Sequence, residues 1–178
     1  MLAAPGSAAR PQNLDGVLAV HGLFGLEIYD ARMADGNPSQ GDATAMWDRL
    51  LSAGNRVYAF AADDATSLND PALGRAWIEV LAPAPDMNSL LSSLREGAFI
   101  ASTGAEFTRL NVTGTTITAD ALPGASLRFI GRGGQLLKTV AASTGSYQIR
   151  GDEGYVRVEA TAADGAKAWS QPFIISWQ

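Results

Sequence analysis

The sequence predicts an α/β part followed by an all-β part, the latter a small antiparallel β-sandwich. Three observations predict it. An apolar helix stripe, a glycine and a nearly unbroken apolar run occur in that order twice, ending once at residues 57–62 and again at residues 98–102. After Glu106 the hydrophobic period falls to two, the period of strands with one covered face. Turn residues then punctuate the chain at short intervals: Gly114, Pro123-Gly124, Gly131 with Gly133-Gly134, Gly145, Gly151 to Gly154, and Asp164-Gly165.

Residues 24–29 form a short apolar strand that runs into Asp30, and residues 32–42 are a loop by composition, with Gly36, Asn37, Pro38 and Gly41. Ala43, Met46, Trp47, Leu50 and Leu51 fall on one helix face, with Asp42 as N-cap and Gly54 just past the end. Residues 57–62 are apolar enough for a strand covered on both faces. Residues 76–82 are another strand, stopped by Pro83 and Pro85. Asp86 then caps a helix with the stripe Met87, Leu90, Leu91 and Leu94, Gly97 ends it, and residues 98–102 are the next strand. This order builds a parallel sheet with crossover helices, closed as a barrel or open. Beyond the change of period, strands are expected at 108–112, 115–119, 127–130, 136–140, 147–149, 155–160 and 173–177. The chain thus divides into residues 1–105, the α/β part, and residues 106–178, an immunoglobulin-like β-sandwich, with no long linker between them.

Composition narrows the chemistry. The chain has 178 residues, no Cys, one His and a net charge of −5. Without Cys there is no thiol catalysis, no disulfide and no Cys-ligated zinc or iron–sulfur cluster. One His leaves no multi-histidine metal site. An acidic chain without a Lys/Arg cluster is a poor partner for phosphate backbones, so no nucleic-acid partner is expected. No apolar stretch approaches the roughly 18 residues of a membrane span, and the first ten residues have no apolar signal core, which leans toward a cytoplasmic location without membrane contact.

Individual residues read mostly as structural. His21 lies beside apolar residues and no G-x-S-x-G accompanies it, so a catalytic triad is not expected. Gly131-Arg132-Gly133-Gly134 sits between two strands with no helix after it, which makes it a hairpin turn rather than a phosphate loop. Trp47 and Trp77 read as core. Trp169, Tyr147, Tyr155 and Trp177 read as sandwich core, the alternative being a flat exposed face for stacking on sugars.

Several segments carry a resemblance when taken in order. They are Leu26-Glu27-Ile28-Tyr29, Trp47-Asp48-Arg49-Leu50-Leu51 with Gly54, Ala61-Ala62-Asp63-Asp64-Ala65, Trp77-Ile78-Glu79-Val80, Leu94-Arg95-Glu96-Gly97-Ala98-Phe99 with Ser102-Thr103-Gly104, and Ala168-Trp169-Ser170-Gln171-Pro172-Phe173-Ile174. Together they resemble the C-terminal part of PHP-domain metallohydrolases of the CehA/McbA-like group, with the β-sandwich extension of that group. The resemblance implies that the α/β part is a partial PHP-like barrel, and that its ancestor held a two- or three-metal centre hydrolysing phosphate or related esters. The metal motifs are degenerate. The first H-x-H motif is absent, the His-Pro motif falls at Arg10-Pro11, and the closing D-x-H motif falls at Asp64-Ala65-Thr66. Asp64 alone survives as a ligand type, with Asp63 beside it and Glu27 nearby on a neighbouring strand end.

Three readings of function follow. The first is a catalytically degenerate or truncated PHP-like protein, a non-enzymatic structural or interaction module that needs no cofactor. The second is a weak or partner-completed metal-dependent phosphoesterase, with a single divalent metal ion at Asp64, Glu27 and Asp63 completed by waters. Against it, Thr is a poor ligand for zinc or manganese, and Arg in place of His puts a fixed cation where a metal would sit. The third is a ligand-binding β-sandwich that the α/β part merely supports. A partial barrel also leaves apolar strands without neighbours, and this predicts a homodimer formed through the α/β part.

Overall fold

The computed structural model describes residues 1–3, 14–20 and 22–175. After a short helix α1 (Leu14–Leu18), strand β1 (Gly25–Asp30) leads through α2 (Pro38–Gly41) and α3 (Thr44–Ser52) to strand β2 (Tyr58–Ala62), which pairs parallel to β1. Asp42 accepts the Thr44 N–H at 2.8 Å, and Gly54 (φ +87°) turns the chain out of α3. The α3 stripe is buried as the spacing predicts, and the Trp47 Nε1–H donates to the Val57 carbonyl at 2.8 Å. This unit matches the sequence expectation.

The second unit does not. Strands β3 (Trp77–Val80) and β4 (Phe99–Ser102) are antiparallel, and the ladder continues through Leu81 N–H to the Ala98 carbonyl at 2.9 Å. Helix α4 (Met87–Glu96) is therefore part of the long loop of a hairpin, not a crossover. Its ends follow the sequence: Asp86 accepts from Asn88 and Ser89 N–H, and Gly97 closes it at φ +74°. A Cβ at Gly97 would meet the Tyr58 ring at 2.5 Å, so both the left-handed backbone and the close approach require glycine.

The expected partial PHP-like α/β barrel is thus corrected. Among the described residues the chain is mostly β, in three sheets, with no closed barrel. The parallel series stops at two strands. On the far side of β2 a side chain takes the place of a third strand: the Gln171 carboxamide accepts the Ala59 N–H (2.8 Å) and donates to the Ala59 carbonyl (2.9 Å). Both backbone groups of a buried residue are satisfied by one amide. The outer edge of β1 is met by Leu2, which donates to the Gly25 carbonyl and accepts from Glu27 N–H.

The remaining strands are β5 (Phe107–Thr113), β6 (Thr116–Ala121), β7 (Ser126–Gly131), β8 (Gln135–Val140), β9 (Thr144–Gln148), β10 (Tyr155–Thr161), β11 (Lys167–Trp169) and β12 (Phe173–Ile174). They are antiparallel, consistent with a β-sandwich. A three-stranded sheet β5-β6-β9 faces a larger sheet in the order β3-β4-β11-β10-β7-β8, with β12 also on β10. Ile117, Ala119 and Tyr147 from the small sheet meet Leu127, Phe129, Val156 and Val158 from the large one, and the Phe129 and Tyr147 rings stack at 5.9 Å. The large sheet crosses the 105/106 division, because β4 pairs with β11 (Ala101 with Trp169, Ser102 with Ala168).

Replacing Gln171 with Leu keeps the volume but strands the Ala59 N–H and carbonyl. Each unsatisfied buried group costs about 1–3 kcal/mol, so Gln171→Leu should lower unfolding stability by about 2 kcal/mol or more in urea titration. An unchanged midpoint would mean that water reaches this edge.

Candidate functional site

Among the described residues, buried charges gather where α3 meets β10. Asp48 is buried on α3 one turn before Leu51 and Ser52, and Tyr155, Arg157 and Glu159 alternate along β10 on the face toward α3. Arg157 grips Asp48 with two parallel bonds, Nε to Oδ1 at 2.7 Å and a terminal nitrogen to Oδ2 at 2.8 Å. Tyr155 O–H donates to the same Oδ1 at 2.8 Å. The Arg157 guanidinium lies over the Trp47 ring at 5.1 Å. Glu159 accepts from Trp169 Nε1–H at 3.1 Å and faces Arg128 and Lys167.

The electrostatics follow from this geometry. Burial alone would lower the Arg157 pKa, but the Asp48 carboxylate outweighs it and holds the guanidinium charged, with the pKa raised. Burial, and then the Asp48 charge, push the Tyr155 phenol well above its ordinary range. The 3₁₀ turn Arg132–Gly134 closes over the end of α3: Gly133 N–H donates to the Ser52 hydroxyl (2.7 Å) and Gly134 N–H to the Tyr155 oxygen (3.3 Å). A Cβ at Gly134 would come within 2.9 Å of Asp48 Oδ2, so the predicted hairpin glycine is also a close-approach glycine. A cleft of about 450 Å³ opens beside this network, lined by Asp42, Arg49, Arg128 and Lys167 at its mouth.

The residues proposed as metal ligands lie elsewhere. Glu27 is buried in β1. Asp63 accepts Ala65 N–H (3.0 Å) and Gly74 N–H (2.7 Å), and these two bonds hold its carboxyl below the usual range. It organises the loop after β2, as a strand-ending aspartate does. Asp64 is exposed, adopts φ +52°, and its backbone carbonyl accepts Arg32 Nε–H at 2.8 Å, with the carboxylate 3.6 Å from the same nitrogen. Arg32 also pairs with Asp70, whose carboxyl is lowered chiefly by the Thr66 and Ala72 N–H groups. The chain's own cation thus occupies the anionic side of Asp64. Among the described residues no three His, Cys, Asp or Glu side chains gather at metal-binding distance. Asp63 is directed to two backbone N–H groups, and the exposed Asp64 carboxylate lies beside the Arg32 guanidinium, so the two point to different partners.

No protein family, characterised protein or solved structure matches this chain.

Trp169, Tyr155 and Tyr147 are buried, so none offers a flat exposed ring for stacking. His21, Arg10, Pro11 and Trp177 lie outside the described residues. Among the described residues no helix is long and apolar enough to cross a membrane. The Asp48–Arg157 pair was missed by reading motifs one at a time. The signal available was two charged residues, Arg157 and Glu159, inside a strand otherwise too apolar for an exposed edge.

Two tests follow. Asp48→Leu or Arg157→Met alone strips one buried charge of its bidentate partner and should cost about 3–5 kcal/mol, while the double variant should cost clearly less than the two singles together; additive costs in urea unfolding would deny the coupling. The second concerns pH. Burial and the bond to Glu153 (2.8 Å) push the Tyr147 phenol up to about 12, above its unfolded value near 10. A raised folded pKa gives stability that is full below pH 10 and lost as pH rises toward 12. Tyr147→Phe should flatten this alkaline decline in chemical unfolding; an unaltered slope would assign the decline to other groups.

Proposed function

We propose that this chain is a non-enzymatic structural or interaction module, related by descent to the C-terminal part of the PHP-domain metallohydrolases it resembles in sequence. One observation carries the reading: the segments that bear the resemblance converge on packing and ties, not on a reactive centre. Trp47 and Asp48 meet Tyr155 and Arg157 of β10, Trp169 donates to Glu159, and Gln171 completes the edge of β2. Of the carboxylates nearest the degenerate metal motif, Asp63 accepts two backbone N–H groups and Asp64 lies 3.6 Å from Arg32. Catalysis by metal-assisted hydrolysis needs ligands converging on one point with a position left open, whereas Asp63 and Asp64 are directed to separate partners.

The test is direct. The purified chain, supplied with Mg²⁺, Mn²⁺ or Zn²⁺, is assayed on para-nitrophenyl phosphate and on bis(para-nitrophenyl) phosphate. The expected result is no metal-dependent rate above buffer, and no difference between the native chain and Asp64→Ala. A metal-dependent rate abolished by Asp64→Ala would overturn the reading and install the phosphoesterase in its place.

A further inference from the structure

Four cations converge on the cleft beside the Asp48–Arg157 network. Arg49 comes from α3, Arg128 from β7, Arg157 from β10 and Lys167 from β11, so three neighbouring strands and the helix over them supply one each. The chain as a whole is acidic, with a net charge of −5. Cations gathered at one place repel one another unless anions stand among them.

The carboxylates of the cleft do not match these donors. Asp42 is turned to the first turn of α3, where it accepts from the Thr44 N–H and hydroxyl. Asp48 accepts from Arg157 Nε, from one Arg157 terminal nitrogen and from the Tyr155 hydroxyl. Glu159 alone faces the rest, standing 3.4 Å from Arg128, 3.6 Å from Lys167 and 3.7 Å from Arg157. Its Oε2, the oxygen nearer Arg157, already accepts the Trp169 indole N–H. Arg49 is exposed at the mouth.

The shortage of acceptors shows at the floor of the cleft. The Arg157 side chain is 4 % exposed, yet its second terminal nitrogen, Nη1, has no hydrogen-bond partner among the described residues. That nitrogen carries two N–H groups. Buried donors are paired as a rule, so an acceptor from outside the chain is called for here. Water would satisfy the two N–H groups but would leave the cations above them short of negative charge. The rim leaves room for a larger occupant, because Gly133 and Gly134 line it without side chains. Arg128 and Lys167 are 44 % and 34 % exposed, and exposed side chains of this length change rotamer within nanoseconds, so the floor is reachable.

We propose that this cleft binds a small doubly charged oxyanion, received by Arg157 Nη1 at the floor and by Arg49, Arg128 and Lys167 at the mouth. Guanidinium groups suit planar and tetrahedral oxyanions alike, because each offers paired N–H donors in a fixed fork. A phosphate group and a dicarboxylate share this chemistry. Neither Asp63 nor Asp64 lines the cleft, so the proposal stands apart from the question of phosphoester hydrolysis and goes beyond the module reading by giving it a ligand.

The test is isothermal titration calorimetry of the native chain at fixed ionic strength, with inorganic phosphate, sulfate and succinate as probes and chloride as the monovalent control. At least one of the three dianions should bind one per chain with a Kd below about 1 mM. Binding of phosphate and sulfate without succinate identifies a tetrahedral group as the ligand chemistry, and binding of succinate alone identifies a dicarboxylate. Arg49→Gln and Lys167→Gln should each weaken binding by about fivefold or more, and together abolish it, while circular dichroism shows the fold retained. Arg75→Gln, which removes an exposed cation that does not line the cleft, should leave the affinity unchanged. Heats from all three dianions no larger than those from chloride would overturn the proposal and assign the Nη1 position to water. Saturable binding that Arg49→Gln and Lys167→Gln leave intact would put the anion elsewhere on the chain and overturn it equally.

Discussion

The bidentate contact between Asp48 and Arg157 is the constraint on which the rest of the molecule depends. A helix of the first part and a strand of the second are tied by a charge pair that neither could bury alone. Charges this enclosed fix geometry more than they add net stability, since an apolar pair of like volume would pack there too. What they set is the rotation of α3 about its axis and its height over β10. Trp47 then lands over the guanidinium, and the Arg132–Gly134 turn can close on the helix end.

From that tie the architecture follows outward. α3 fixed on β10 holds β1 and β2 beside the large sheet, where Gln171 fastens the Ala59 backbone. The aromatic cluster Phe24, Tyr58, Phe60 and Phe99 fills the seam between β2 and β4. The two parts therefore share a core that contains Trp47 and Trp169 together. Division of the chain at residue 105 describes a change of hydrophobic period, whereas the hydrogen-bonded sheet runs through it.

Much of the local structure was legible in the sequence. Asp86 and Gly97 bound α4 as read, and Gly54 ends α3. Six of the expected β-part strands correspond to β5 through β10, and the seventh to β12. Topology was not legible. The repeated helix–glycine–strand order fits a crossover and a hairpin with a helical loop equally well, because periodicity reports which residues share a face and not the direction of the next strand. β11 is three residues long, too short to show a period, yet it joins the two parts. The role of Gln171 is carried by a side chain acting as backbone, which no hydrophobic pattern encodes. The candidate ligands were placed by motif position alone. Glu27 is buried in β1, while Asp63 is held by backbone N–H groups and Asp64 lies beside Arg32.

The Gln171 carboxamide has a consequence for the molecule's behaviour in a crowded solution. An unpaired strand edge is a template on which other chains can grow, and β2 is short, apolar and rich in aromatic side chains, the composition from which fibrils nucleate. Because one amide satisfies both backbone groups of Ala59, an incoming strand finds no donor or acceptor free at that residue. At Ala59 the protection of this edge against an added strand thus rests on a single side chain.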